Sequence, residues 1–471
     1  MTPFSFYWHD YETFGVVPRR DRPAQFAGVR TDADLNEVEA PLTLYCRPAA
    51  DLVPDPAACL ITGITPQVCA ERGVRERDFA DAIETQLARP GTVGCGYNSL
   101  RFDDEVTRFL FWRNLIDPYA REWQNDCGRW DLLDTVRCAW ALRPDGIEWP
   151  TREEGKPSFK LEQLTAANGL AHESVHDALS DVRATIALAR LIKDKQPKLW
   201  AHCLKLHKKQ AVIDEMGVGR PFLHLSGRYP VDRGCMAIVW PLAPHPKFKN
   251  EVIVWDLAFD PRELFALDAK TVRERLFTAA ADLPAGQARL PIKTIHLNKS
   301  PIVIGNLKTL GSATARWGID LDQAQRHADI AEQRANSMAG IWPEVYERVP
   351  PTEAVDVDED LYGGFLDNDD RRALQRLRAL PADRLGERGP AFSDPRLDEL
   401  LLRFRARNHP DSLSQAELAH WHGHCQVRWQ QTPEWLARIA ALEAVADVRG
   451  REVLAELRRW RQAVQAQIAA T

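Results

Sequence analysis

An apolar run near the N-terminus, Phe4 to Trp8, leads within two residues into a pair of carboxylates, Asp10 and Glu12. The alternation of Phe4, Phe6 and Trp8 predicts a β-strand with a buried face. Because residues two apart on a strand point the same way, Asp10 and Glu12 are expected on one face just past this run. Two converging carboxylates resist losing both protons unless a cation neutralises them, and oxygen ligands suit Mg²⁺ or Mn²⁺. For a single pair of this kind, the alternative is an ordinary strand end facing solvent.

The composition is that of a multidomain globular protein. With 471 residues and 45% hydrophobic content, the chain has room for about three domains at roughly 150 residues each. No apolar stretch approaches the 18 or so residues that cross a bilayer, and no basic leader precedes the first strand, so a cytoplasmic protein without a membrane segment is expected. The nine cysteines include no C-x-x-C pair and are expected to be reduced and mostly buried.

Charge is segregated along the chain. The net charge of -6 excludes a protein that coats nucleic acid by bulk charge, so any such binding needs a local basic surface. Residues 195–213 contain five lysines and no acid, whereas residues 353–370 contain eight acids and no Lys or Arg. The lysine run is either a binding surface or a solvated face, and the acidic run is expected to be a solvated linker.

Three regions differ in their patterns. Residues 1–196 alternate strand and helix signals, which predicts an α/β domain. Residues 197–350 contain short apolar runs separated by Pro and Gly, which predicts a small β-barrel. Residues 351–471 are predicted to be helical, with helix starts at Asp394-Pro395 and Thr432-Pro433.

Further chemistry-bearing residues accompany the first pair. Asp103 is predicted to open a helix after a buried strand at 92–98, and Asp181 lies inside a predicted helix that His176 precedes. Each alone has an ordinary interpretation, since Asp103 could serve the helix dipole and His176 could be a surface histidine. Together, Asp10, Glu12, Asp103, His176 and Asp181 resemble the DEDDh family of 3′ to 5′ exonucleases. In that family four carboxylates hold two divalent metal ions, and a histidine lies five residues before the last aspartate.

Other segments narrow the resemblance to the bacterial exonuclease I family, which acts on single-stranded DNA. They are His9-Asp-Tyr-Glu-Thr-Phe-Gly15, Asp21-Arg-Pro-Ala-Gln-Phe26, Arg129-Trp-Asp-Leu-Leu-Asp134 and Leu402-Arg-Phe-Arg-Ala-Arg-Asn408. The resemblance implies an RNase H-like DEDDh exonuclease domain at 1–196, an SH3-like β-barrel at 197–350 and a helical C-terminal domain at 351–471. One departure is Lys160, where the family carries arginine, so a forked donor is replaced by a point charge.

The resemblance also implies a mechanism. Two Mg²⁺ ions, with Mn²⁺ as an alternative, would be held by Asp10, Glu12 and Asp181, with Asp103 as the fourth carboxylate. His176 would take the proton of the attacking water, and 5′-mononucleotides would leave from the 3′ end. The competing hypotheses are an exonuclease of the same core acting on RNA 3′ ends and a scaffold that binds single strands without cutting them.

Basic and aromatic side chains interleave near the second motif, as expected of a surface that holds a single strand by stacking and phosphate contacts. The predicted substrate-binding residues are Glu12, Arg108, Tyr119, Trp123, Arg137 and Lys160, and Arg113 and Arg143 belong to the same pattern. For Tyr119 and Trp123 the alternative is a place in the core.

Two further expectations concern partners and zinc. The resemblance implies a monomer that binds single-stranded DNA and the acidic C-terminal tail of the single-strand DNA-binding protein, with Arg143 near the tail. The stretch from His420 to Cys425 contains three histidines and a cysteine, but it is expected between two helices with no second ligand pair nearby, so zinc is not favoured there.

Overall fold

The structure is a computed structural model that describes residues 4–152, 155–172, 177–347, 355–381, 384–386 and 392–469. The chain divides into two compact units. The first comprises Met1–Gly128, His172–Ile186 and Glu353–Thr471, and the second comprises Arg129–Ala171 and Ala187–Thr352. This grouping by contact in space does not test the domain boundaries at 196 and 350, which stay predictions.

Ten strands lie along the described chain: β1 (Ser5–Thr13), β2 (Pro23–Thr31), β3 (Leu42–Tyr45), β4 (Thr92–Gly96), β5 (Gly128–Asp131), β6 (Phe222–Leu225), β7 (Met236–Pro244), β8 (Glu251–Asp256), β9 (Ile292–His296) and β10 (Ile302–Ile304). The α-helices within residues 1–196 are α1 (Pro56–Thr62), α2 (Pro66–Arg72), α3 (Glu76–Leu87), α4 (Asp103–Arg113), α5 (Leu132–Leu142), α6 (Leu161–Ala167) and α7 (Ala178–Lys195).

The helices that follow are α8 (Pro197–Lys205), α9 (Lys209–Met216), α10 (Arg262–Phe265), α11 (Ala269–Phe277), α12 (Ala313–Arg316), α13 (Leu321–Arg334), α14 (Trp342–Val345), α15 (Asn368–Arg378), α16 (Arg396–Asn408), α17 (Gln415–Gln430), α18 (Trp435–Glu443) and α19 (Val448–Ala469). No helix in the described part of the chain is both long and apolar enough to cross a membrane.

The first unit contains a sheet whose strands are ordered β3-β2-β1-β4. Of the residues of β5, only Gly128 belongs to this unit. Strand β1 pairs antiparallel with β2 and parallel with β4, so it is bonded on both sides. The predicted strand is confirmed, but it runs on to Thr13 and contains Asp10 and Glu12, because β2 pairs with it as far as Pro23. Phe4 precedes the strand and is 40% exposed, so its predicted place in the core is wrong.

The helices of the first unit pack on this sheet and on one another. One core cluster joins Tyr7 and Phe26 of the sheet to Phe79 of α3 and Phe111 of α4. A second joins residues after β3 to tryptophans of α17 and α18, which brings the C-terminal helices into the same unit. Helix α2 is capped by Thr65, whose hydroxyl accepts a hydrogen bond from the Val68 N–H ahead of a first-turn proline.

The second unit contains an antiparallel five-stranded sheet in the order β10-β6-β7-β8-β9. Three of the short apolar runs in this region form β7, β8 and β10, as predicted. Helix α5 begins at its N-cap Asp131, whose side chain accepts from the Leu133 N–H, and it packs against α8 and β6. All nine cysteines are free and buried, as expected.

One prediction in the C-terminal region is wrong. The stretch from His420 to Cys425 lies inside α17, not between helices, because a capping box at Ser414 and Glu417 starts the helix earlier. The two helices predicted to start at Asp394-Pro395 and Thr432-Pro433 are present, and they begin at Arg396 and Trp435.

Candidate active site

Three carboxylates from two elements converge in the first unit. Asp10 and Glu12 stand two residues apart on β1, so their side chains share a face of the sheet. Asp181 lies in the first turn of α7. One carboxylate oxygen from each of the three lies within 4.8 Å of the others, and we call this set the carboxylate cluster. Glu12 is buried, and Asp10 and Asp181 are partly buried.

Asp103 lies beside this cluster. It is the first residue of α4 and is only 3% exposed, and its Oδ1 accepts a hydrogen bond from the backbone N–H of Tyr11 at 3.2 Å. That bond fixes Asp103 against β1 at Tyr11, the residue between Asp10 and Glu12 in sequence. The position suits a carboxylate, since the helix N-terminus carries a partial positive charge.

The electrostatics of the cluster favour protonation in the absence of a cation. The pKa of Asp10 is raised well above its ordinary value by burial and then by the charges of Asp103 and Asp181. Burial, followed by the charges of Asp10 and Asp181, raises the pKa of Glu12 to about 9. The strongest charge contributions to both pKa values come from acids. A hard divalent cation would relieve this repulsion, and the all-oxygen donor set fits such an ion.

A histidine that the sequence interpretation missed contacts the cluster. The Nε2 of His172 lies 2.6 Å from Oδ1 of Asp181, and its side chain is 7% exposed. The available signal was its position as a second histidine ahead of the same helix, four residues before His176. The predicted general base, His176, lies outside the described residues.

The start of α7 is held to the sheet by polar contacts. Asp177 accepts a hydrogen bond from the Ser180 N–H at 3.1 Å, which caps the first turn of the helix. Its other oxygen lies 3.5 Å from Nε2 of Gln25, the residue opposite Glu12 in the β1–β2 register. The contact with Gln25 therefore connects the start of the helix that carries Asp181 to the strand that pairs with Glu12.

The predicted strand-binding residues of the first unit have different environments. Arg108 is buried, and its guanidinium donates to Glu105, Glu122 and the Tyr362 hydroxyl, so the structure does not favour a phosphate contact by this residue. Arg113 is likewise buried and paired with Glu76.

The two aromatic candidates also differ. Tyr119 is partly buried, with its ring 5.2 Å from the Arg108 guanidinium carbon. Trp123 is 67% exposed, so the alternative that it is a core residue is wrong. An exposed ring of this size is available for base stacking.

In the second unit, the Lys160 side chain is 61% exposed and its Nζ lies 3.6 Å from Glu162. Arg137 donates to Asp134 at 2.6 Å, and its guanidinium carbon lies 5.8 Å from the Phe159 ring. Arg143 donates to the backbone carbonyl of Thr309 at 3.0 Å. Of these three, Lys160 presents the most exposed cation.

A second group of possible ligands in the first unit consists of Asp51, Asp358 and His424, which also lie within 4.8 Å of one another. Three arginines already pair with its two carboxylates: Arg22 and Arg407 with both, and Arg403 with Asp358. We call this set the arginine-paired cluster. The guanidinium groups supply the cations, which argues against zinc near His424. The expectation that the acidic run is a solvated linker is wrong for Asp358, which is 3% exposed.

Comparison with known families covers nearly the whole chain. A family model described as Exonuclease matches residues 7–189, one described as Exonuclease I SH3-like domain matches 207–348, and one described as Exonuclease I C-terminal domain matches 355–464. The predicted fold class, with its exonuclease, SH3-like and C-terminal parts, is confirmed.

Curated relatives and solved structures agree with these matches. Exodeoxyribonuclease I of Escherichia coli K12 is 44% identical over 92% of this chain and 91% of its own, and that of Haemophilus influenzae is 43% identical over 91% of each. The structure of exonuclease I from Methylocaldum szegediense has a TM-score of 0.92 at 48% identity, covering 98% of this chain and 99% of that one.

The E. coli enzyme in complex with a dA16 oligonucleotide also has a TM-score of 0.92, at 40% identity, covering 98% of this chain and 100% of that one. A zinc-bound form of the E. coli enzyme with single-stranded DNA has a TM-score of 0.91 at 40% identity, over 98% of this chain and 99% of that one. With the carboxylate cluster at its centre, the chain belongs to the exodeoxyribonuclease I family of 3′ to 5′ exonucleases that act on single-stranded DNA.

Proposed function

We propose that this chain removes 5′-mononucleotides one at a time from the 3′ end of single-stranded DNA, using two Mg²⁺ ions. The observation that carries this proposal is the carboxylate cluster, in which three oxygen ligands converge and the pKa values of Asp10 and Glu12 are raised. A scaffold that only binds strands has no need for such a costly concentration of like charge. The cluster therefore favours an enzyme over the scaffold.

Each residue has a distinct task in the proposed reaction. Asp10, Glu12 and Asp181 hold the ions, and Asp103 is the fourth carboxylate beside them. Bound divalent ions would lower the pKa of the attacking water and would neutralise the negative charge that develops on the leaving 3′ oxygen. His176 accepts the proton of that water, for which an imidazole with an ordinary pKa near 6.5 is suited. Glu12 is also proposed to contact the terminal nucleotide.

We propose that the strand is held by stacking and by phosphate contacts. The exposed ring of Trp123 and the partly buried ring of Tyr119 support stacking, and the exposed ammonium of Lys160 supports a phosphate contact. Arg137 is a weaker candidate, because its guanidinium already donates to Asp134. Arg108 has the least support, because its donors are directed to two carboxylates and a hydroxyl.

The proposed partner is the acidic C-terminal tail of the single-strand DNA-binding protein, bound by a monomer in the bacterial cytoplasm. Arg143 and the exposed Arg316 support a basic surface in the second unit, where Arg316 lies over the rings of Trp140 and Trp317 at 5.4 and 4.5 Å. Binding of a fluorescent acidic tail peptide should weaken in Arg143→Ala. Unchanged binding in that variant would remove Arg143 from the proposed surface.

The decisive experiment is a time course on matched DNA and RNA single strands, labelled at either end, with and without Mg²⁺. The 3′-labelled DNA should release labelled mononucleotide at once, whereas the 5′-labelled DNA should shorten progressively, and both should require the metal. Faster degradation of RNA than of DNA would favour the exoribonuclease hypothesis. Early release of a 5′ label would contradict the assigned polarity.

The general base has its own test. His176→Ala should lower turnover by roughly 10² to 10⁴ and flatten the acid limb of the pH–rate profile, because a positioned base is worth about that much. His420→Ala is the matched control, since that exposed histidine pairs with Glu399 at 2.9 Å in the C-terminal helices. If the His176→Ala enzyme keeps the pH profile of the parent, another group is the base.

A further inference from the structure

His172 makes a short polar contact with a residue of the carboxylate cluster. Its Nε2 lies 2.6 Å from Oδ1 of Asp181, and the two side chains are 7% and 18% exposed. A short, largely buried hydrogen bond between an imidazole and a carboxylate is among the stronger hydrogen bonds in proteins. Either the Nε2–H tautomer or the imidazolium can donate it.

The contact comes from outside the ligand cluster. The group whose ligand atoms lie within 4.8 Å of one another consists of Asp10, Glu12 and Asp181, and among the described residues His172 is not part of it. A carboxylate offers about four lone-pair sites on two oxygens. Asp181 can therefore accept from His172 and still present an oxygen toward Asp10 and Glu12.

We propose that His172 is a positioning residue that orients Asp181 for metal binding. The inference rests on the proposed function, because it takes Asp181 as a metal ligand. Carboxylates that bind metals are commonly held by an outer hydrogen-bond donor, which fixes the rotamer before the ion arrives. Without that donor, Asp181 would sample other rotamers, and ion binding would have to order it.

The substitution His172→Ala should weaken divalent-ion binding by about 10- to 100-fold, the usual effect of removing such a partner. Turnover at saturating metal should fall much less than turnover at limiting metal. The direct readout is isothermal titration of the full-length chain with Mn²⁺ and with Mg²⁺, which does not depend on catalysis.

Two conservative variants sharpen the test through the position of the donor. In His172→Gln the amide nitrogen reaches about as far as Nε2, so metal affinity should recover to within a few-fold of the parent. In His172→Asn the amide stands near the position of Nδ1 and should not restore it. If Gln and Asn weaken metal binding equally, or if neither does, the proposed bond is not what holds Asp181.

Controls separate this role from a structural one. His420→Ala should leave metal affinity unchanged, and the unfolding temperature of each His172 variant in EDTA shows whether the fold is intact. If His172→Ala does not fold, the difference in metal affinity between His172→Gln and His172→Asn still tests the proposal. A loss of metal binding that only follows a loss of folded protein would overturn the inference.

The proposed function can fail separately from this inference. If Asp10→Asn is inactive while His172→Ala binds metal like the parent, the function stands and the role of His172 falls. If Asp10→Asn retains full activity, the metal assignment itself falls, whatever the His172 variants show.

Discussion

The carboxylate cluster and the arginine-paired cluster bring similar ligand sets together and have opposite electrostatics. Each places three possible metal ligands within 4.8 Å of one another in the first unit. In the carboxylate cluster the pKa values of Asp10 and Glu12 are raised by burial and by neighbouring acids. In the arginine-paired cluster burial alone would raise the pKa of Asp358, but Arg407 and Arg22 outweigh burial and lower it well below its ordinary value.

The difference shows what identifies a metal site. Proximity of possible metal ligands is common to both clusters, so proximity alone does not distinguish them. The arginine-paired cluster already contains its counter-ions, and replacing them with a metal would leave buried guanidinium groups unpaired. The carboxylate cluster has repulsion that a bound cation would relieve. The sign of the pKa shift is therefore the better criterion.

The largest expected effect comes from breaking the carboxylate cluster. Asp10→Asn removes a metal ligand and should lower turnover by about 10³-fold or more, because metal catalysis is worth several kcal/mol. Binding of single-stranded DNA should stay within a few-fold, since the phosphate contacts remain. Single-turnover rates and fluorescence anisotropy measure the two quantities. Near-parental turnover would contradict the metal assignment.

The arginine-paired cluster should respond in stability instead of chemistry. Asp358→Asn leaves Arg22, Arg403 and Arg407 with less compensation in a buried site, which should cost about 3 kcal/mol and lower the unfolding temperature by several degrees. Turnover per folded molecule should not change. Thermal unfolding by circular dichroism, with activity measured on the same samples, checks both.

The exposed pair of Arg75 and Asp78 provides the matched control, because Asp78→Asn removes a surface ion pair and should hardly move the unfolding temperature. Equal shifts in Asp78→Asn and Asp358→Asn would mean that burial adds nothing to the pairing.

The carboxylates of the site could be predicted from the sequence, but the length of the strand that carries two of them and the contacts around them could not. The motif residues Asp10, Glu12, Asp103 and Asp181 were identified from spacing and resemblance, and the structure brings the first, second and fourth together. The extent of β1 was underestimated, because strand length depends on pairing with β2 and not only on the apolar run.

The pairing of charged side chains could not be predicted from local patterns. Arg108 is a candidate phosphate ligand by composition, but Glu122 stands 14 residues away and Tyr362 stands 254 residues away in sequence. The acidic run was taken for a linker for the same reason, since its partners Arg22 and Arg407 lie in distant segments. His172 escaped notice because only the fold shows that it reaches Asp181.

The opposite pKa shifts predict different pH dependences in metal-free protein. The folded-state pKa of Glu12 is about 9 against an ordinary value of 4.5, so its contribution to stability is complete below pH 4.5 and is lost as the pH rises towards 9. The lowered pKa of Asp358 gives a contribution that is present above about pH 4 and is lost only in stronger acid. Between pH 5 and 9 the contribution of Glu12 should therefore decline, whereas that of Asp358 should stay constant.

Urea unfolding in EDTA at pH 5, 7 and 9 tests this difference. Glu12→Gln should flatten the decline in stability relative to the parent, whereas Asp358→Asn should lower stability by a similar amount at each pH. Mg²⁺ should stabilise the parent most at the highest pH, because its ligands must be deprotonated to bind. A parallel decline in parent and Glu12→Gln would place the titrating group elsewhere.

Arg108 and Lys160 differ in the same way, because the charge of one is buried among carboxylates and the charge of the other is exposed to solvent. Arg108 donates to Glu105 and Glu122 in a buried site, whereas the Lys160 side chain is 61% exposed. A lysine presents a point charge to a phosphate, and an arginine can present two parallel donors. An arginine at position 160 should therefore hold a phosphate more tightly than the native lysine does.

Lys160→Arg carries the smallest expected effect. It should tighten binding of single-stranded DNA by a few-fold, at most about 1 kcal/mol. The charge is unchanged, so arginine adds only a second, parallel donor to an exposed contact. The slope of log affinity against log salt should stay the same, because that slope counts neutralised phosphates and the charge is unchanged. Lys270→Arg, at an exposed position of α11, is the control and should leave affinity unaltered. If both variants tighten binding equally, arginine acts by general attraction to the strand and Lys160 makes no specific phosphate contact.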